Sequence, residues 1–277
     1  MMKSFRLPLE EDLVIRGDFH AREKNPHQPL LLFCHGFKGF KDWGSFPFAA
    51  DWLAEQGIAV LRFNFSCNGV GESMTEFDEL EKFGRNTYAR ELADLNALTN
   101  WLIREDNPFA DSFDRHKLFL LGHSKGGGDV ILFGAANPLI KGIITWNGVA
   151  DVNLFDSKLR QAIAENGVGY IPNARTGQQM PITQTVIDDV DQNREAYDLL
   201  VKVRDMPQPL CLIQGTKDFD RLVAGAKRLA EAAKNGQLHW IEEGDHTFNT
   251  RHPFAGTSPQ LEAALKQTAV FVHTECT

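Results

Sequence analysis

The chain has 277 residues, 43% of them hydrophobic and 24% charged, with a formal net charge of −8. This is the composition of an ordinary globular protein, long enough to bury a substantial core. Its acidic balance argues against nucleic acid or an anionic membrane as a partner, because both attract basic surfaces.

In chain order, Val14 and Ile15 suggest an early antiparallel edge strand. Leu30 to Cys34 (LLLFC) is a continuous apolar run, the signature of a strand buried on both faces. Ile58 to Phe65, Leu118 to Leu121, Gly142 to Trp146, Leu210 to Gln214 and Leu238 to Ile241 read the same way. Between them, Tyr88, Leu92, Leu95 and Leu102 recur at helical spacing, as do Leu222, Ala226, Leu229 and Ala233. Leu261, Leu265, Thr268 and Val272 give the last helix an apolar face. Short strands alternating with helices predict an α/β fold with a mostly parallel central sheet flanked by helices. Residues 151–206 break the alternation with a long polar stretch and no clear strand, so a mostly helical cap or lid insertion is expected there.

The four cysteines, Cys34, Cys67, Cys211 and Cys276, are widely separated, which argues against a zinc cluster or a small disulfide framework. The nine histidines show no H-E-x-x-H spacing, so no metal is expected. The first residues lack the apolar segment of a secretory signal, and no run of apolar residues reaches bilayer length. A cytoplasmic protein with no membrane partner is the expectation.

Chemistry concentrates at Gly122-His123-Ser124-Lys125-Gly126, a G-x-S-x-G pattern. Roughly 0.1 matches would arise by chance in a chain this long, from a glycine or serine usage near 7%. Context strengthens it: LFLL precedes and DVILFGAA follows, the strand and helix that the motif requires. A strand turning abruptly into a helix presents its serine on a strained bend and crowds out side chains two residues away, hence Gly122 and Gly126. A serine hydroxyl needs a base, and the base needs orienting. Asp218 lies just past the Leu210–Gln214 strand, and His246 just past the Leu238–Ile241 strand, both at the sheet edge where α/β folds gather ligands. Asp220 is a rival acid; Asp245 and His252 lie close to His246. An anionic intermediate would need backbone donors, for which the amides of Lys125 and Phe37 are candidates, the latter in the loop after LLLFC. His35 is read as fixing that loop by hydrogen bonds. Phe37, Phe40, Trp43, Trp146, Phe219 and Phe248 cluster near the predicted mouth and are candidates for an apolar substrate pocket.

Strand-HGF, strand-GHSKG-helix, GTKD and GDH, in that order, resemble the serine hydrolases of the α/β-hydrolase fold across nearly the whole chain. HGF with GHSKGG and an insert is similar to the bacterial carboxylesterases of the cinnamoyl/feruloyl-esterase and dienelactone-hydrolase-like group. The resemblance implies Ser124 as nucleophile, His246 as general acid and base, Asp218 as its orienting acid, and an oxyanion hole from the Phe37 and Lys125 amides. It implies a small-molecule ester as substrate and no cofactor. Dienelactone hydrolases proper carry cysteine where this chain has Ser124, so lactone specificity is not implied. Peptidase, amidase or thioesterase activity would use the same residues, and a non-catalytic binding module of the same fold is the alternative of a different class. What the Lys125 ammonium does is left open by the sequence.

Overall fold

The computed structural model describes residues 1–10 and 12–276. An eight-stranded sheet runs through it. The chain enters with β1 (Met2–Pro8), β2 (Val14–His20) and β3 (Leu30–Cys34), then α1 (Phe46–Glu55) and β4 (Ala59–Asn64). There follow α2 (Leu80–Gly84), α3 (Tyr88–Leu102), β5 (Leu118–His123), α4 (Lys125–Ala136) and β6 (Ile140–Trp146). An excursion comprises α5 (Ser157–Asn166), β7 (Val168–Pro172), β8 (Gln179–Thr183), α6 (Gln184–Gln192) and α7 (Leu199–Asp205). The chain closes with β9 (Leu210–Gly215), α8 (Asp220–Ala232), β10 (Gly236–Ile241) and α9 (Pro259–Glu275).

The strand order is β1-β2-β4-β3-β5-β6-β9-β10. From β4 to β10 all pairings are parallel, while β1–β2 and β2–β4 are antiparallel. Because side chains alternate along a strand, each central strand feeds two cores. Leu30, Leu32 and Cys34 of β3 join α3, α4, α7 and α8 on one face, while Leu31 and Phe33 join α1 and α9 on the other. The run LLLFC is apolar throughout because neither face meets water.

Two sequence expectations change. The early antiparallel strand at Val14 is not the edge: β1 pairs outside it, exposed along most of its length, with Met2 and Pro8 at its ends. The cap also contains strands. β7 and β8 form an antiparallel ribbon with no bond to the main sheet. Pro172 and Pro181, together with the polar tract between them, hide these strands in the sequence, and proline is tolerated because a two-stranded ribbon is all edge. The tract itself is the hairpin loop, with Gly177 at φ +72° and its N–H donating to the Asn173 carbonyl. α7 packs against α4 and α8, so the excursion rejoins the body before residue 206. The cap is tied down: Thr183 Oγ1 donates to the Gly84 carbonyl, Gln178 Nε2 to that of Phe77, and Lys38 Nζ to that of Pro172. Among the described residues no helix is long and apolar enough to cross a membrane.

The loop after β3 is anchored downstream by a buried ionic network. Lys41 Nζ donates to Asp18 of β2 at 2.5 Å and to Asp42 at 2.6 Å. Arg62 of β4 pairs with Asp18 at 3.0 Å and also with Asp42, and Lys41 N–H donates to Asn64 Oδ1. Removing one partner from a buried pair leaves an uncompensated charge and typically costs about 3–5 kcal/mol. Asp18→Ala should therefore lower stability by about that amount. Urea denaturation should show the midpoint falling with the slope unchanged; an unaltered midpoint would mean the network contributes nothing.

Candidate active site

The carboxyl ends of the parallel strands deliver the polar residues to one edge. Ser124 sits between β5 and α4 at φ +57°, ψ −117°, a backbone region that side chains other than glycine rarely occupy. The bend is held by its own N–H donating to the Trp146 carbonyl and by its carbonyl accepting from Gly127 and Val149. A Cβ on Gly122 would lie 2.1 Å from the Gly126 carbonyl oxygen, and one on Gly126 would lie 2.6 Å from that of Cys34. Neither backbone can give way, so both positions require glycine.

The structure brings Ser124, His246 and Asp218 into one hydrogen-bonded chain. His246 Nε2 is 3.1 Å from Ser124 Oγ, and His246 Nδ1 is 2.9 Å from Asp218 Oδ1. An ionised Asp218 can only accept, so Nδ1 carries the proton and Nε2 is left to accept from the serine. Burial works against the Asp218 charge, but His246, Gln214 and the Phe219 N–H outweigh it and hold its pKa below the usual carboxylate value. Gln214 Nε2 donates to Oδ2 at 2.9 Å and the Phe219 N–H to Oδ1 at 2.7 Å.

The rivals lie elsewhere. Asp220 is exposed at the start of α8. Asp245 organises the turn that carries His246, its Oδ1 accepting from the N–H groups of Thr247 and Asn249. His252 accepts from the Gly44 N–H between the rings of Phe40 and Trp43. His35 ties down its loop: Nδ1 donates to the Gly36 carbonyl, while Nε2 accepts from Phe65 N–H and Asn68 Nδ2. No acceptor is paired with the N–H of Phe37 or Lys125 among the described residues. Nor do these residues hold a group of three or more His, Cys, Asp or Glu suited to a metal.

A narrow, partly enclosed cleft lined by Phe37 and Lys125 opens here, with a free interior of only about 20 Å³. Phe37, Phe83 and Phe155 contribute rings to it, and the cap contributes Ile182, Val186 and Val190. Of the six aromatic residues expected to line a pocket, Phe37 lines this one and the other five do not. Trp146 and Phe248 are buried together under α9, with Trp146 Nε1 donating to Thr268 Oγ1, because alternation points Trp146 to the opposite face of the sheet. Phe40 is fully buried in the cluster joining cap to body. Trp43 stacks on His252. Phe219 alone stays near the serine, 61% exposed, its ring centroid 5.3 Å from that of His246.

Sequence reasoning missed the residues that position these groups. Asn147, buried just past β6 at φ +50°, donates from Nδ2 to the carbonyls of Asp245 and His246 and accepts the Gly215 N–H on Oδ1. It joins the ends of β6 and β9 to the turn bearing His246. His123, immediately before the serine, donates from Nε2 to the same His246 carbonyl at 2.8 Å. The signal for both was position: a polar residue ending a buried strand. Lys125 folds inward. Its ammonium is buried against Glu91, lies 3.2 Å from Asp129 and sits 3.8 Å above the Tyr88 ring. Burial opposes that charge, and Asp129 and Glu91 overcome it, so the Lys125 pKa lies above its usual value. Burial and the Glu91 charge push the Asp129 carboxyl above its usual range, while Lys125 pulls it the other way.

Residues 25–203 match the family model described as Serine aminopeptidase, S33 (Hydrolase_4). The chain belongs to this family of α/β hydrolases. The match ends before Asp218 and His246, which the geometry alone joins to the serine. Among solved structures, Est1E from Butyrivibrio proteoclasticus with ferulic acid bound aligns at 20% identity and TM-score 0.72, covering 98% of both chains. The α/β hydrolase GrgF from Penicillium sp. sh18 aligns at 16% identity and TM-score 0.74, covering 100% and 99%. At these identities the likeness is one of fold. The "Uncharacterized 31.7 kDa protein in traX-finO intergenic region" of Escherichia coli is 30% identical over 133 residues, 48% of this chain and 42% of that protein.

Two variants separate the supports of His246. His123→Phe keeps a ring but removes one of two donors to the His246 carbonyl, so kcat should fall by about threefold to tenfold, the worth of one hydrogen bond. Asn147→Leu removes three bonds and should cost more. His123 also titrates. Burial, then the His246 charge, lowers its pKa to about 3 from 6.5, so the folded state gives up stability as pH falls from 6.5 towards 3, where only the unfolded chain takes the proton. Denaturation midpoints across that range should fall less steeply for His123→Phe than for the native chain. An equal fall would mean that His123 contributes nothing to this pH dependence.

Proposed function

We propose that the protein is a serine hydrolase that cleaves carboxylic esters through an acyl-enzyme on Ser124. The observation carrying this reading is the continuous chain from Ser124 Oγ through His246 to Asp218, at 3.1 and 2.9 Å, beside two unpaired backbone amides. In this mechanism His246 Nε2 takes the Ser124 proton as Oγ attacks the carbonyl carbon. Asp218 holds the ring and favours the imidazolium that forms. The developing oxyanion accepts from the Phe37 and Lys125 N–H groups, each contribution of this kind being worth about 10²–10³ in rate. His246 then protonates the leaving oxygen, and a water activated by the same nitrogen releases the acid and restores Ser124.

Phe219, exposed beside His246, offers an apolar face where the departing alcohol would lie. The Lys125 ammonium faces away from this chemistry, into its pairing with Glu91, so only its backbone takes part. A small-molecule ester is the substrate, and no cofactor enters the cycle.

The family description favours a second reading, peptide cleavage. An aminopeptidase must offer a carboxylate to the substrate's free ammonium group. In the cleft Glu91 is the carboxylate, and both its oxygens are already engaged, by Lys125 and by Asn86 Nδ2. That pairing supports an ester over an N-terminal peptide.

A fluorophosphonate probe should label the native chain and not Ser124→Ala. Asp218→Asn should lower kcat on a p-nitrophenyl ester by about 10⁴, the cost of a wrongly oriented imidazole, whereas Asp220→Asn should change it little. Equal labelling of both proteins, or a collapse with Asp220→Asn alone, would refute the assignment. Faster turnover of an amino-acid p-nitroanilide than of the ester would favour the peptidase.

A further inference from the structure

The first turn of α4 supplies the Lys125 amide, and its own sequence determines it weakly. The helix begins Lys125-Gly126-Gly127-Gly128-Asp129, with no side chain capping it, and the Lys125 N–H has no acceptor among the described residues. Glycine is the poorest helix former after proline, so three in succession leave the terminal amides loosely held. Better formers cannot replace two of them: a Cβ would lie 2.6 Å from the Cys34 carbonyl oxygen at position 126 and 2.8 Å from Gly148 Cα at position 127. Only Lys125 and Asp129 carry side chains in this stretch, and both enter one buried cluster. The Lys125 ammonium reaches Glu91 on α3, lies 3.2 Å from Asp129 Oδ2 and sits 3.8 Å above the Tyr88 ring. Asn86 Nδ2 holds Glu91 in turn, donating to Oε1 at 2.6 Å. Glu91, Lys125 and Asp129 are 3%, 7% and 0% exposed.

Stability is a poor reason for such a cluster. Taking two charges out of water offsets most of their attraction, and apolar side chains of similar size often leave a protein as stable or more so. Direct chemistry is no better a reason, since the ammonium is committed to Glu91. What the pair adds is geometric. Asp129 lies four residues along the same helix and cannot fix α4 against anything else. Glu91 lies 34 residues away on α3, so its bond ties the first residue of α4 to a second helix. The Lys125 side chain leaves from the Cα next to its own N–H. Anchoring that side chain on α3 therefore sets the plane of the peptide between Ser124 and Lys125, and with it the direction of the N–H.

We propose that Glu91 is a positioning residue for the oxyanion hole, aiming the Lys125 N–H at the developing oxyanion by holding the Lys125 side chain on α3; this rests on the esterase reading above. Glu91 acts only through Lys125. Asn86, Tyr88, Glu91 and Lys125 form the polar end of the cleft as a consequence of bracing that turn. A donor aligned for the oxyanion rather than for the ground-state carbonyl acts on kcat, so its misalignment lowers kcat and leaves KM nearly unchanged.

The test compares the native chain with Glu91→Gln and with the double variant Glu91→Gln/Lys125→Met on p-nitrophenyl acetate, whose small acyl group limits contact with the cleft walls. Glu91→Gln keeps the size of the side chain and an acceptor for Asn86, and Asp129 remains to pair the ammonium; the double variant removes the ammonium with its partner. Both should lower kcat about tenfold to a hundredfold, part of the roughly 10²–10³ that one donor is worth, with KM within about twofold. The two falls should agree within about threefold, because the glutamate acts through the lysine. A second substrate, O-p-nitrophenyl thionoacetate, puts sulfur where the oxyanion forms. Sulfur is a larger and weaker acceptor, so aligned amides favour the oxygen ester, and the ratio of the two kcat/KM values should fall at least about threefold in both variants. A merely structural role would lower both rates alike through the folded fraction and leave that ratio unchanged. If Glu91→Gln fails to fold, the ratio in the double variant decides. A ratio equal to the native one, a kcat unchanged or raised, or a fall confined to KM would overturn the role of Glu91 and leave the esterase reading standing. A native chain that neither hydrolyses the acetate nor takes up the fluorophosphonate label would overturn both.

Discussion

The site depends on one backbone reversal. Ser124 adopts φ +57° where a strand becomes a helix, a conformation that costs free energy for a residue with a side chain and persists only when its surroundings enforce it. Here the enforcement is threefold. β5 is paired on both sides, by β3 and β6; the serine's N–H and carbonyl are bonded across to Trp146, Val149 and Gly127; and Gly122 and Gly126 let neighbouring backbone approach within distances no Cβ would permit. The reversal lifts the hydroxyl clear of the sheet and leaves the first amide of α4 without a partner. The nucleophile and one donor of the proposed chemistry thus come from a single turn.

The other groups arrive on separate strands, and what aligns them is a set of polar residues that never touch the serine. Asn147 bonds to the ends of β6 and β9 and to the turn after β10, so the backbones carrying Asp218 and His246 move as one. Gln214 holds the second oxygen of Asp218. On the far side, the Asp18–Lys41–Arg62 network fixes the chain just beyond Phe37. The ionic cluster around Lys125 couples α3 to α4 beneath the same turn and also forms the polar end of the cleft. One set of buried charges thereby serves both the mount of the serine and the character of the pocket.

Much of this was legible in the sequence because it follows from local rules. Strands buried on both faces read as unbroken apolar runs, and Leu30–Cys34 has the same bounds in sequence and structure. Ser124, Asp218 and His246 stood out because each follows a strand, and the structure joins them. The misread features are those that depend on which way a side chain faces. Trp146 and Phe248 lie close in sequence to strand ends, yet alternation turns the first to the α9 face, where it packs on the second. The cap ribbon was hidden by Pro172 and Pro181, which read as strand breakers in a central sheet but not in an isolated pair. The inward fold of Lys125 had no local signal, because its partner Glu91 is 34 residues away on another helix.

The central claim is that Ser124 carries the acyl group between two half-reactions. Rapid acid quenching of the native protein during turnover of a p-nitrophenyl ester, followed by mass spectrometry of its peptides, tests this directly. A burst of p-nitrophenol is expected, with a peptide containing Ser124 heavier by the mass of the acyl group, which the Asp218→Asn variant accumulates far more slowly. Turnover with no acylated peptide at any quench time, or with the acyl group on a residue other than Ser124, would contradict it.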